Sequence, residues 1–206
     1  MDPNQSQPPP TVSRRTARWT IAACAVLLIG SLTGVAYLAV SQWRSNSDAA
    51  DRIVSEAAGM SFVAPEGWQE ASQEGGGRLV YGQVALEQPG GEGAILLGKL
   101  DSSLFASAES DNAKAACTLG SGMGEFFLPS SGERVDRENR EVKGREVDGD
   151  SCFYRVRFAD DDPQAEVYAA VVSSGDERWW ITWLGNADAP VDRAAAHALA
   201  ESIQPL

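Results

Sequence analysis

Few residues in this 206-residue chain could carry out nucleophilic catalysis, and their spacing does not suit that chemistry. His197 is the only histidine, and it stands in an alanine-rich helical segment, where we expect it to lie at the surface. Ser121 has a glycine on either side, but Leu119 takes the place of the first glycine of a Gly-x-Ser-x-Gly motif. A nucleophile needs a base oriented beside it, and these residues do not supply such a pair. The sequence therefore predicts a protein that is not an enzyme.

An acidic run offers a possible calcium site. It consists of Asp160-Asp161-Asp162, with Glu166 nearby. The run lacks the alternating aspartates and the distal glutamate of a calcium loop, and we interpret it as a solvated turn between strands. We expect no bound metal and no cofactor.

Two cysteines, Cys117 and Cys152, follow the apolar N-terminal run. With a single distant histidine they are too few for the four ligands of a zinc site. Outside the cytoplasm they would form a disulfide. Closing a loop of about 35 residues stabilises the fold by about 4 kcal/mol in the chain-entropy treatment. Two separate buried thiols are the alternative.

The chain is acidic and has a long apolar run near its N-terminus. Its net charge of −12 argues against nucleic acid as a partner, because phosphates require a basic surface. Residues 19–40 are uncharged and would span about 30 Å as a helix, the thickness of the hydrocarbon layer. Arg14, Arg15 and Arg18 precede this run, which places residues 1–18 in the cytoplasm. A transmembrane signal-anchor is predicted; a cleaved signal peptide, giving a secreted protein, is the alternative.

The composition divides the chain into four parts. Residues 1–18 are rich in proline, glutamine and serine and are predicted to form a disordered cytoplasmic tail. The membrane segment, residues 19–40, is followed by a polar, partly helical stalk at residues 41–59. Residues 60–206 are predicted to form an extracytoplasmic globular domain, which is long enough for its own core.

Strand-like and helix-like patterns within this domain indicate an α+β fold. Strands separated by short polar turns imply a mostly antiparallel central sheet, and two helical stripes imply helices that cover it. Gly120, Gly122 and Gly124 weaken the first helix but allow a close approach to the sheet. Pro190 suits the first position of the second helix. The predicted helices cover residues 111–127 and 190–203; the predicted strands cover 61–65, 78–86, 94–100, 137–147, 151–158, 165–173 and 177–184.

The segment from 175 to 185 concentrates three of the six tryptophans between two glycines. In an extended strand Trp179, Ile181 and Trp183 face one way, while Arg178 and Trp180 face the other. We expect the first three to fill a core. Arg178 and Trp180 lie near the start of the strand, so we expect them to be exposed. Arginine and tryptophan are favoured anchors at interfaces, and these two residues could therefore contact a partner. An extended partner segment could also pair with this strand if it lay at a sheet edge.

Short motifs spread along the predicted domain are similar to those of the mycobacterial alanine- and proline-rich secreted proteins, known as fibronectin-attachment proteins. The opening resembles the family's Ser-Phe-Val-x-Pro-x-Gly-Trp, and reads here Ser61-Phe62-Val63-Ala64-Pro65-Glu66-Gly67-Trp68. Further matches are Leu119-Gly120-Ser121, Trp183-Leu184-Gly185 and Ala198-Leu199-Ala200-Glu201-Ser202-Ile203. Where the family carries Arg-Trp-Phe-Val, this chain has Arg178-Trp179-Trp180-Ile181, the RWWI segment.

The resemblance implies a function, a site and a fold. It implies a cell-surface protein that binds fibronectin or a similar extracellular protein, with Arg178, Trp179, Trp180 and Ile181 as the binding residues. It also implies a sandwich of the Mog1/PsbP-like kind. The alternative is a cell-envelope binding or scaffold module whose partner is another envelope protein or a small ligand in a groove of the sandwich.

Overall fold

A computed structural model describes residues 52–71, 82–91, 93–128, 132–158 and 165–206. The predicted cytoplasmic tail, the predicted membrane segment and the first part of the predicted stalk lie outside these residues, as do Asp160, Asp161 and Asp162. Within the described part, no helix is both long enough and apolar enough to cross a membrane.

The described residues form ten strands, two α-helices and a short 3₁₀ turn at Phe105–Ala108. The helices are α1 (Asn112–Phe127) and α2 (Arg193–Glu201). The strands are β1 (Arg52–Ser55), β2 (Met60–Val63), β3 (Gln69–Glu70), β4 (Val84–Glu87), β5 (Ala94–Lys99), β6 (Glu133–Lys143), β7 (Asp148–Arg157), β8 (Ala165–Ser174), β9 (Glu177–Gly185) and β10 (Gln204–Pro205).

A seven-stranded sheet with the order β3-β4-β5-β9-β8-β7-β6 forms the centre of the domain, and each neighbouring pair is antiparallel. A smaller sheet has the order β1-β2-β10. Helix α1 and the 3₁₀ turn pack on one face of the central sheet; α2 and the small sheet pack on the other. The predicted α+β class and mostly antiparallel sheet are confirmed.

Side chains alternate strictly between the two faces along β9. Trp179, Ile181 and Trp183 belong to the core beneath α2 and the small sheet. Trp180 belongs to the core beneath α1. This is the period of two that a strand imposes, so the predicted division of this segment is confirmed.

Helix α1 begins where the sequence predicts it, because the Asp111 side chain caps it by accepting a hydrogen bond from the Lys114 N–H at 2.9 Å. Its glycines allow the close approach to the sheet that we expected. A Cβ on Gly120 would lie 3.3 Å from the Ala169 Cβ, and one on Gly124 only 2.3 Å from the Tyr154 hydroxyl oxygen.

Helix α2 begins three residues later than predicted, at Arg193 rather than Pro190. Asp192 is the N-cap and accepts hydrogen bonds from the Ala194 and Ala195 N–H groups, each at 3.0 Å. The Val191 N–H donates to the buried Glu166 carboxylate at 2.8 Å, which holds the preceding residues outside the helix.

The domain also begins earlier than predicted. Strand β1 lies within the segment assigned to a partly helical stalk, and it pairs with β2 from Arg52↔Val63 to Ser55↔Met60. Ala58 is fully buried, and its carbonyl accepts a hydrogen bond from the Trp179 indole N–H at 2.9 Å. The compact unit therefore already includes Arg52 and the rest of β1.

The structure pairs Cys117 of α1 with Cys152 of β7 in a disulfide, with a Cα–Cα distance of 5.2 Å. The bond ties the helix to the face of the sheet that it covers. It connects residues 35 positions apart, so it restricts a long loop in the unfolded chain.

We expect the double variant Cys117→Ala/Cys152→Ala to unfold at lower urea concentration, with a loss of about 2–4 kcal/mol in the free energy of unfolding. A reductant should lower the stability of the wild type and leave the double variant unchanged. Equal unfolding curves for both proteins, together with two thiols that react without reduction, would show that the bond is absent.

Candidate functional site

The RWWI segment lies in the interior of the central sheet. Strand β9 has β5 on one side and β8 on the other, so both of its edges are already hydrogen-bonded. Trp179 is opposite Lys99 on β5 and Val172 on β8. A partner strand cannot add at this position, and the possibility that an extended peptide pairs here is excluded.

Three of the four side chains in the segment are buried. Trp179 and Ile181 are 0% exposed, as expected of core residues, and Trp180 is 2% exposed. The expectation that Trp180 is exposed is therefore wrong. Trp180 packs with Leu96 and Val171 in the cluster beneath α1. An antiparallel sheet can leave one face in water, but here α1 covers the face that carries Trp180.

Arg178 is partly buried, and its hydrogen bonds connect β9 to the start of α1. Its Nη1 donates to the Glu109 carbonyl at 2.7 Å, and its Nε donates to Asn112 Oδ1 at 3.1 Å. Its Nη2 is buried without a hydrogen-bond partner among the described residues. Burial lowers the pKa of Arg178 from its usual value, and the charge of Asp111 partly opposes this. The guanidinium thus fastens the start of β9 to the start of α1.

The residues considered for catalysis do not meet. Ser121 lies on α1 and His197 on α2, and these helices cover opposite faces of the central sheet. The Ser121 hydroxyl accepts a hydrogen bond from Arg134 at 2.7 Å. Glu166, which was considered above as a possible calcium ligand, forms an ion pair with Arg155 at 2.8 Å.

The prediction that His197 is a surface residue is wrong, because its side chain is only 12% exposed. Its Nε2 lies 3.4 Å from the Glu201 carboxylate, one helical turn away. Ala196 and Ala200 are buried together with Leu199, so His197 lies at the margin of the buried face.

A cleft of about 580 Å³ opens at the far end of β9 from Arg178. We call it the aromatic cleft and define it by Glu66, Trp68, Trp183, Asp188 and Pro190. Trp183 is 3% exposed, and Trp68, partly exposed, packs against it edge to face with ring centroids 4.8 Å apart. The two rings form an aromatic wall at the surface of the core.

Two tight turns position the residues of the aromatic cleft. The Trp68 N–H donates to the Pro65 carbonyl at 3.0 Å, and Gly67 between them has a φ of 79°, which favours glycine. On the other side, Asn186 Oδ1 accepts hydrogen bonds from the N–H groups of Asp188 and Ala189 at 2.9 and 2.8 Å. These turns hold the carboxylates of Glu66 and Asp188 at the opening.

The chemistry of the aromatic cleft suits a positively charged group. None of the described residues that line it is basic. Glu66 and Asp188 are exposed, and neither carboxylate has a hydrogen-bond or ion-pair partner among the described residues. Aromatic faces attract cations, and carboxylates pair with them.

This cleft was not predicted from the sequence, although two of the family motifs supply residues on either side of it. Trp68 ends the Ser61–Trp68 motif and Trp183 begins the Trp183-Leu184-Gly185 motif. An aromatic residue directly after a Pro-x-Gly turn was the available signal. The alternation along β9 showed that Trp183 faces the core, but it could not show that the core opens to solvent at that point.

Comparison with known proteins identifies the same family that the sequence motifs resemble. Residues 27–206 match the fibronectin-attachment protein (FAP) domain. The alanine and proline-rich secreted protein Apa of Mycobacterium leprae is 40% identical over 178 residues, which cover 75% of this chain and 61% of that protein. Apa of Mycobacterium bovis is 37% identical over 178 residues, which cover 75% of this chain and 54% of that protein. The chain thus spans 54–61% of the length of these two relatives.

Among solved structures, the solution structure of cyanobacterial PsbP (CyanoP) from Synechocystis sp. PCC 6803 aligns with a TM-score of 0.48 and 12% identity. The alignment covers 75% of this chain and 91% of that one. The assignment of this domain to the Mog1/PsbP-like sandwiches stays a prediction.

The burial of Trp180 has a direct consequence for stability. Trp180→Ala should lower the free energy of unfolding by about 3–5 kcal/mol, because it leaves a cavity beneath α1. Trp180→Phe keeps most of the apolar volume and should cost clearly less. The comparison is made by urea unfolding of both variants. Substitutions of surface residues usually change the free energy of unfolding by less than about 0.5 kcal/mol. A loss that small for Trp180→Ala would contradict the buried position.

Proposed function

Because the chain belongs to the fibronectin-attachment protein family, we propose that it is a non-enzymatic cell-surface protein that binds fibronectin, or a similar extracellular protein, in adhesion. The observation that carries the proposal is the match of the fibronectin-attachment domain to residues 27–206, which include every residue that the structure describes. The relatives are named as secreted proteins, and a secreted or surface location suits an acidic domain with a disulfide.

The proposed role of the RWWI segment is to support the binding surface from within. Trp179, Trp180 and Ile181 are buried on the two faces of the sheet, so a folded domain cannot present them to a partner. Arg178 alone retains some exposed surface, but its guanidinium is hydrogen-bonded to Glu109 and Asn112. Changes in this segment are expected to weaken binding by unfolding the domain.

We assign the contact surface for the partner to the aromatic cleft. Trp68 and Trp183 lie in two of the motifs that carry the family resemblance, and they meet in space at this cleft. Tryptophan side chains in concave, partly desolvated sites are common anchors of protein interfaces. The unpaired carboxylates of Glu66 and Asp188 favour a basic side chain on the partner, held between the acids and the aromatic wall.

A second candidate function, a cell-envelope module that binds a small ligand, is favoured by one observation. A separate polar cleft beside α2 contains buried polar groups without hydrogen-bond partners in the described part of the chain. The two functions are compatible, since each uses a different cleft.

We also propose that residues 19–40 anchor the domain in the membrane, with the domain outside the cell. The support is the length of the uncharged run and the three arginines before it.

The binding proposal is tested by titrating the immobilised full chain with fibronectin. We expect saturable binding, and a loss of about 10-fold or more for Trp68→Ala, which corresponds to about 1.4 kcal/mol. Glu66→Gln/Asp188→Asn should also weaken binding with an unchanged melting temperature, since both side chains are exposed. The matched control, Glu146→Gln/Asp176→Asn, removes the same charge from exposed residues outside the cleft.

Each part of the proposal fails on a different result. No saturable binding by the folded wild type would exclude fibronectin as the partner. Binding by wild type with equal affinities for the cleft variants and the control would place the contact surface elsewhere.

The anchor proposal predicts that the full chain remains in the membrane fraction after extraction with alkaline carbonate, with its N-terminal residues intact. Replacing apolar residues in positions 19–40 by charged ones should release it. A mature protein that begins after residue 40 and is found in the medium would instead demonstrate a cleaved signal peptide.

A further inference from the structure

A second cleft, of about 460 Å³, lies between α2 and the edge of the central sheet. We call it the polar cleft and define it by Arg140, Ser151, Tyr168, Arg193 and His197. Its floor comes from three adjacent strands, since Arg140 on β6 is opposite Ser151 on β7, and Phe153 on β7 is opposite Tyr168 on β8. Its wall is α2, where Arg193 and His197 are one turn apart on the same face.

Several residues that line the polar cleft are held in place by contacts with one another. Arg193 forms an ion pair with Glu138 at 2.7 Å, and its guanidinium lies over the Phe153 ring at 5.0 Å from the centroid. Asp192, which also borders the cleft, uses its carboxylate to cap α2. Both acidic residues that line the cleft therefore already have partners.

Two buried polar groups in the polar cleft have no hydrogen-bond partner among the described residues. They are the Tyr168 hydroxyl and the Nδ1 of His197. Tyr168 is 3% exposed, and the side chain of His197 is 12% exposed. Burial raises the pKa of Tyr168 and the neighbouring Ser151 hydroxyl lowers it, but no hydrogen bond of ordinary geometry joins the two hydroxyls, and Ser151 donates to the Arg140 carbonyl at 3.2 Å. Buried polar groups are nearly always satisfied, so these two groups point to a missing ligand.

The charge in the polar cleft comes from Arg140. Its side chain is exposed, and its guanidinium makes no ion pair within the described part of the chain. Burial raises the pKa of Tyr168, whereas the Ser151 hydroxyl and the charge of Arg140 lower it. Arg140 and Tyr168 line the same cleft, so both can act on one bound group.

The environment of His197 determines what Nδ1 can do. Its Nε2 faces the Glu201 carboxylate at 3.4 Å, which favours a proton on Nε2 and leaves Nδ1 as an acceptor. An acceptor beside an arginine and a phenol is matched by a ligand that carries both a negative charge and a hydroxyl group.

We propose that the polar cleft binds a small hydroxycarboxylic acid. The ligand's carboxylate pairs with Arg140 and accepts a hydrogen bond from the Tyr168 hydroxyl, and the ligand's hydroxyl donates to Nδ1 of His197. The volume of the cleft lies within the usual range for small-molecule sites. This site is separate from the aromatic cleft and does not depend on fibronectin binding.

Calorimetric titration of the full chain tests the proposal with L-malate, L-lactate, citrate and D-glucuronate as probes. At least one should bind saturably with a Kd of about 1 mM or lower. Succinate, which is malate without its hydroxyl, and glucose, which is glucuronate without its carboxylate, should each bind about 10-fold more weakly than their counterparts. If none of the four acids binds, or if succinate and glucose bind equally well, the proposal is wrong.

Two variants connect such binding to this cleft. Tyr168→Phe removes only the hydroxyl and should weaken binding about 10-fold while leaving the melting temperature unchanged or raised, because the lost group has no partner in the free protein. Arg140→Gln should weaken binding at least as much. The matched control Arg145→Gln removes an equal charge from an exposed residue outside the cleft and should bind as wild type. Unchanged affinity in Tyr168→Phe and Arg140→Gln would exclude this site.

Discussion

The constraint on which the rest of this structure depends is that both faces of the central sheet are covered. Helix α1 covers one face, and α2 with the small sheet covers the other. A strand in the middle of such a sheet has no side exposed to water, so β9 is aromatic and aliphatic on both faces. The same constraint explains the glycines of α1, the buried Trp179–Ala58 hydrogen bond and the disulfide, each of which holds a covering layer against the sheet.

Side chains that contact a partner or ligand must then lie where the covering layers end. At the end of β9 the partly exposed Trp68 packs over the buried Trp183, and the aromatic cleft opens beside this pair. The polar cleft lies between α2 and the strands at the β6 edge of the sheet. The motif marked by family resemblance and the accessible chemistry therefore occupy different parts of one framework: the motif builds the interior, and the two clefts are its openings.

The sequence alone predicted what local periodicity controls. The alternation of Trp179 and Trp180 between faces, the extent of α1 and the antiparallel order all follow from spacing and short turns. Burial of Trp180 could not be read in this way, because it depends on α1 packing from a distant part of the chain. Strand β1 was missed because its four residues are polar at both ends and pair only through β2. The exposure of His197 was overestimated because the buried face of α2 includes Ala196 and Ala200 as well as Leu199.

The central claim is that a folded domain binds its partner through the aromatic cleft and not through the RWWI segment. Cross-saturation from bound fibronectin to the assigned indole N–H signals of the protein tests it most directly. Trp68, whose ring is partly exposed, should lose intensity, while the buried Trp179 and Trp180 should not. Attenuation at Trp179 and Trp180 that leaves Trp68 unaffected would contradict the account, since it would place the partner against side chains that the two covering layers enclose.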